Sequence, residues 1–146
     1  MRFLIVAPWF DDGPDDYFYN RLRKYVEELG LSQKIVFYIN PSIQDLVYFY
    51  KHALALIHPS LDEGFGLPLL EAAYFNLPVI ASDIEVYKEV MGNQYMSFNP
   101  DHIDDITSTI HSFLQQKPKF DYQTQLKKYS FKNMTEEIFR LYKNFI

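Results

Sequence analysis

The sequence predicts an α/β protein whose mostly parallel sheet carries helices on both faces. Short β-branched or aromatic runs alternate with longer segments of helical period, and the connections between runs are helical, as parallel neighbours require. The runs are also apolar throughout, as strands covered on both faces are. Phe3 to Ala7 is the first run, followed by a polar, turn-rich stretch from Pro8 to Asp16. Phe18, Leu22, Tyr25, Val26 and Leu29 then recur at helical spacing, and Gly30 stands where a left-handed residue ends a helix. Ile35 to Ile39 reads as a second strand, after which Ser42-Ile43-Gln44-Asp45 resembles a capping box opening a helix through Lys51. Leu54 to Ile57 is the third strand and Pro59 to Gly66 a loop. Pro68 suits the first turn of a helix through Phe75, because its missing N–H would be unpaired there anyway, and Asn76 fits the left-handed cap. Pro78 to Ala81 is a fourth strand, Glu85 to Met91 a short helix and Tyr95 to Phe98 a fifth strand. Ile103, Ile106, Ile110, Phe113 and Leu114 give one amphipathic face, and Asn133 with Glu136 caps a last helix carrying Ile138 and Leu141. The architecture is Rossmann-like. In such sheets ligands bind beyond the carboxyl ends of the strands, which singles out the loops 8–16, 58–66 and 82–85.

A length of 146 residues and a mass of 17.4 kDa suit one domain, residues 1–146, and no internal repeat or linker divides it. Hydrophobic residues at 48% against 23% charged exclude a disordered chain. The charge of −5 removes a basic footprint for nucleic acid or anionic lipid, so a phosphate-bearing ligand has to be held locally. With no cysteine, disulfides, thiolate zinc sites and a Cys nucleophile are excluded. No apolar run reaches the roughly 18 residues that span a bilayer, and Phe3 to Ala7 is too short for a signal core, so a soluble, cytoplasmic protein is expected.

The densest chemical signal is the stretch His58-Pro59-Ser60-Leu61-Asp62-Glu63-Gly64-Phe65-Gly66-Leu67-Pro68-Leu69-Leu70-Glu71. A strand ends, two glycines permit close backbone approach, and a helix begins with unpaired N–H groups and the positive end of its dipole. That geometry binds anions, and a pyrophosphate suits a protein of negative charge. Glu71 lies about where a carboxylate accepts bonds from ribose hydroxyls, and Glu63 stays in the loop, free to face the group beyond the phosphates. The bare Gly-x-Gly also fits a tight turn, with both glutamates as ordinary surface carboxylates. Elsewhere, Asp11, Asp12, Asp15 and Asp16 lack a calcium-loop pattern, and His52, His58, His102 and His111 lack ligand spacing. His58 reads as a packed histidine, with pocket lining as the alternative. Ser60, or Ser82 with Asp83, has no nucleophile elbow, and Asn133-Met134-Thr135 reads as helix capping rather than a glycosylation acceptor.

The full stretch resembles the signature of the family-4 retaining glycosyltransferases, whose two-domain GT-B architecture carries a Glu, seven intervening residues and a second Glu around Gly-Phe-Gly-Leu-Pro; the pair here is Glu63 and Glu71. Tyr50-Lys51-His52-Ala53, Pro78-Val79-Ile80-Ala81-Ser82-Asp83-Ile84, Glu89-Val90 and Phe98-Asn99-Pro100-Asp101 extend the likeness from Phe3 to Gln116. It departs from the family at Asn76, at Leu54, and at Ala7-Pro8, where the family has a glycine. The resemblance implies the C-terminal, donor-binding half of a GT-B glycosyltransferase. By it, Glu71 bonds the ribose of a UDP- or GDP-sugar, the backbone at Gly64, Phe65, Gly66 and Leu67 contacts phosphate or sugar, and Glu63 is the catalytic-site carboxylate at the sugar. No metal or other cofactor is implied, because the helix N-terminus and an Arg and Lys pair meet the leaving-group charge. That pair, the preceding strand and the acceptor-binding N-terminal domain are not matched here: Arg2 is on the wrong element, and Arg21, Arg23 and Lys24 belong to a solvated helix face. The expected partners are therefore a nucleotide-sugar and a missing N-terminal domain, with no nucleic acid and with peripheral membrane association only through that missing half. Two other readings stay open: a different Rossmann-like nucleotide enzyme, weakened by the lack of Gly-x-Gly-x-x-Gly after the first strand, and a non-catalytic module with a vestigial site.

Overall fold

In the computed structural model, which describes residues 2–7 and 17–143, the elements follow in the order β1 (Phe3–Ala7), α1 (Tyr17–Glu28), β2 (Ile35–Ile39), α2 (Ile43–His52), β3 (Leu56–His58), α3 (Leu67–Tyr74), β4 (Val79–Ser82), α4 (Glu85–Met91), β5 (Met96–Phe98), α5 (Ile103–Gln116), α6 (Gln123–Lys128) and α7 (Phe131–Lys143). The acidic stretch Asp11 to Asp16 and the Pro8 substitution lie outside the described residues. The chain divides into two compact units, Met1–Phe49 and Tyr50–Ile146.

In the first unit β1 and β2 pair in parallel, Phe3 opposite Ile35 through Ala7 opposite Ile39, with α1 as the crossover. Gly30 ends α1 in the left-handed region at φ 66°, where a side chain would be strained, and its N–H donates to the Glu27 carbonyl at 2.9 Å. The capping box is present. The Ser42 N–H donates to Asp45 Oδ2 at 3.0 Å, and the Asp45 N–H donates to Ser42 Oγ at 3.2 Å. The apolar stripe of α1 is used differently from the expectation: Val26 is buried, but Phe18, Tyr25 and Leu29 are exposed. Tyr19 meets the Phe37 ring edge-on at 5.6 Å instead, and a two-stranded sheet is too narrow to cover the rest of the stripe. Arg23 and Lys24 make exposed i, i+4 pairs with Glu27 and Glu28, as a solvated face does.

In the second unit the parallel order is β3-β4-β5, so β4 is central and all four of its residues are buried. Strand alternation sends Val79 and Ala81 to one face, where they pack with Leu69, Ala72 and Ala73 of α3, Tyr87, Val90 and Met91 of α4, and Tyr122. Ile80 goes to the other face with Phe98 and Phe113 of α5. Helices therefore cover both faces, as the apolar run predicts. The outer strands are shorter than expected because pairing with β4 sets their length. Leu56 pairs with Val79 and its N–H donates to the Pro78 carbonyl, which leaves Leu54 outside the ladder and 66% exposed. Pairing of Met96 with Ile80 likewise starts β5 one residue after Tyr95. Ile103 is exposed rather than part of the α5 core face. The cap of α7 is Ser130, whose Oγ accepts from the Asn133 N–H at 3.3 Å, so Asn133 lies inside the first turn and donates its side-chain amide to the Lys127 carbonyl.

Tyr122 closes the core beneath α3, donating its hydroxyl to the Leu77 carbonyl at 3.2 Å, and burial pushes its phenol up to about 12. In the unfolded chain the same group ionises near pH 10. The unfolded state therefore loses its proton first, and stability falls as pH rises from about 10 toward the folded value. Denaturant unfolding at about pH 9 and about pH 11 checks this: Tyr122→Phe should lose less stability than wild type over that interval.

Candidate functional site

Gly64, Phe65, Gly66 and Leu67 form the turn between β3 and α3. Gly66 is the N-cap residue of α3, at φ 84° and ψ 44°, and no side chain caps the helix. Its carbonyl accepts from Leu69 N–H at 3.0 Å, and Pro68 has no N–H to satisfy. Among the described residues, no hydrogen bond is made by the N–H groups of residues 64–67, so the turn presents unpaired donors at the positive end of a helix dipole. Gly64 faces open space. Gly66 does not: a Cβ there would lie 2.8 Å from Cε1 of Tyr87. Within the protein, the close approach that requires this glycine is to a buried tyrosine ring. Phe65, 39% exposed, meets the Tyr129 ring edge-on at 5.3 Å.

Glu71 follows just past the first turn of α3 and is exposed. Tyr50 OH donates to its Oε2 at 2.7 Å, and that tyrosine is itself fixed by stacking on Phe75 at 5.7 Å. Burial, then the bond to Glu71, pushes the Tyr50 phenol well above its usual range, so it remains a donor. Among the described residues the carboxylate is held at one oxygen, and none bonds the other. Glu63 is half-buried in the middle of the loop, where its Oε1 accepts from Ser60 Oγ at 2.9 Å. His58, at the end of β3, is half-buried, and burial holds its imidazole below the usual value against an opposing pull from Glu63.

The three loops beyond β3, β4 and β5 meet at a cleft of about 400 Å³ lined by Leu61, Asp83, Ile84, Asn99, Pro100 and Asp101. It adjoins the motif through Leu61, while Glu63 and Glu71 stand outside its lining. The 99–101 loop carries part of the family likeness but is not among the three loops that the strand-end rule singles out. It is built by Asp101 N–H donating to Asn99 Oδ1 at 3.0 Å and Asn99 N–H donating to Asp105 Oδ2 at 2.6 Å. The Asn99, Asp101 and Asp105 spacing was the available signal. Among the described residues, no three acidic or histidine side chains converge as metal ligands, and no helix is long and apolar enough to cross a membrane.

A sequence profile described as "Glycosyl transferases group 1" matches residues 13–133. The chain belongs to this family. An O-antigen chain mannosyltransferase, RfbU of Salmonella typhimurium, is 36% identical over 118 residues, which are 80% of this chain and 33% of that protein. O-antigen chain mannosyltransferase B of Escherichia coli is 34% identical over 148 residues, 98% of this chain and 38% of the relative. This group 1 chain therefore spans about a third of the length of the relatives it matches. Among solved structures, Anabaena Alr3699/HepE in complex with UDP superposes with a TM-score of 0.85 at 15% identity, covering 99% of this chain and 41% of that one. A glycosyltransferase from Rickettsia africae superposes at 0.82 with 20% identity over 99% of this chain and 40% of its own. The shared fold is the α/β half of a GT-B glycosyltransferase, as expected from the sequence.

Proposed function

We propose that this group 1 chain is the donor-binding part of a glycosyltransferase that moves a hexose from a nucleoside-diphosphate sugar with retention of configuration. The observation that carries the reading is the uncapped N-terminus of α3, flanked by an exposed carboxylate that Tyr50 holds at one oxygen. The unpaired N–H groups of residues 64–67 meet the diphosphate, and the charge that builds on the leaving group is met by donors already in place, without a metal. The other oxygen of Glu71 accepts from the ribose, while Glu63 accepts from hydroxyls of the sugar. The relatives named as mannosyltransferases favour mannose as the hexose and O-antigen or a similar surface glycan as the product. The chain's share of those relatives' length favours a second domain that binds the acceptor.

Titration of the chain with GDP-mannose, UDP-glucose and NAD tests this. A nucleotide sugar should bind with about millimolar affinity and outcompete NAD; preference for NAD would move the chain to another class of nucleotide enzyme. Tyr50→Phe should weaken the nucleotide sugar about threefold, because the Glu71 carboxylate remains but loses its fixed orientation. An unchanged isotherm would remove Tyr50 from the site.

A further inference from the structure

Four polar groups converge at the end of β3, and their hydrogens can be counted. Ser60 Oγ donates to Glu63 Oε1 at 2.9 Å and also lies 3.1 Å from His58 Nδ1. Tyr87 OH lies 2.7 Å from the same nitrogen, and the two rings meet edge-on at 82°. A carboxylate only accepts, so the single hydroxyl hydrogen of Ser60 is spent on Glu63 and cannot also serve Nδ1. At 2.7 Å the Tyr87 phenol is placed to donate to Nδ1, the direction following from the tautomer of His58. Burial favours the uncharged form of both partners, lowering the His58 imidazole and raising the Tyr87 phenol. The Tyr87 ring is fully buried and lies against Gly66, so its hydroxyl has little freedom to leave.

We propose that Tyr87 and His58 are positioning residues for Glu63, acting through Ser60: Tyr87 donates to Nδ1, His58 keeps its hydrogen on Nε2, and the Ser60 hydroxyl is thereby left to fix the Glu63 carboxylate. Without the Tyr87 hydroxyl, Nδ1 competes for the Ser60 hydrogen and Glu63 is released. The role in binding rests on the donor reading above, since Glu63 is placed at the sugar rather than at the nucleotide.

Nitrogen-15 spectra of the histidine rings in the 146-residue chain read the arrangement without any ligand. At neutral pH His58 should carry its hydrogen on Nε2, and Tyr87→Phe should move the Nδ1 resonance. A wild-type ring with its hydrogen on Nδ1 overturns the proposal. In titrations, Ser60→Ala and Tyr87→Phe should each weaken GDP-mannose about fivefold while leaving GDP unchanged. The double variant should be no weaker than Ser60→Ala alone, and Ser60→Thr, which keeps the hydroxyl, should bind as wild type. Losses that add, or that fall equally on GDP and GDP-mannose, would mark a structural role and overturn the proposal. If wild type binds neither ligand, the donor reading fails by itself and the His58 ring still decides the hydrogen-bond arrangement.

Discussion

Gly66→Ala should destabilise the chain by about 2–5 kcal/mol, while Gly64→Ala, two residues away in the same motif, should cost less than about 1 kcal/mol. At φ 84° an L side chain in the left-handed region carries a penalty of about 1–2 kcal/mol. The new Cβ would also lie 2.8 Å from a ring carbon of Tyr87, which is fully buried and cannot swing away. Forcing a methyl into such packing adds about 1–3 kcal/mol. Gly64 lacks both problems, since its Cβ direction is open and its φ is not left-handed. Denaturant midpoints of the two variants at equal m-value measure the contrast, and equal losses would mean that the turn relaxes around Tyr87.

Glu71→Ala should lower the affinity for a nucleotide sugar by about 10- to 100-fold, the range for losing hydrogen bonds to a charged group. Stability should change by no more than about 1 kcal/mol, because Glu71 is exposed and only the Tyr50 hydroxyl loses a partner. The chemistry predicts a ligand dependence as well. A donor with 2′,3′-dideoxyribose should bind wild type and Glu71→Ala with nearly equal affinity, since the hydroxyls that bond the carboxylate are already absent. A calorimetric titration with both donors checks this, and an undiminished Glu71→Ala penalty for the dideoxy compound would place the carboxylate elsewhere on the ligand.

What the sequence made legible was local. The order of elements, the Ser42 and Asp45 capping box, the left-handed Gly30 and Asn76, and the exposed position of Glu71 on α3 all depend on residues within a turn or two of each other. The contacts that orient the site span longer separations. Tyr50 reaches Glu71 across 21 residues and Tyr87 reaches His58 across 29, and a single sequence carries no periodicity that pairs them. The strand ends were misplaced for a similar reason. Leu54 is as apolar as Leu56, and only the register against Val79 decides which of them joins the ladder. At α7 two good cap residues, Ser130 and Asn133, stand three apart, and local chemistry does not rank them.

Gly66 is the instructive case. The need for glycine was readable from its place before a helix, but the reason was not, because Tyr87 comes from the next helix along the chain. Stability and the proposed chemistry meet at that ring. One side of it demands a glycine at the head of α3, and its hydroxyl borders the network that ends at Glu63.

The most direct measurement is the movement of backbone amide resonances as a nucleoside diphosphate is added to the chain. The N–H groups of Gly64, Phe65, Gly66 and Leu67 should shift most, because they are the unpaired donors at the head of α3. Saturating shifts confined to another loop, with these four amides unmoved, would contradict the anion site on which the glycosyltransferase reading depends.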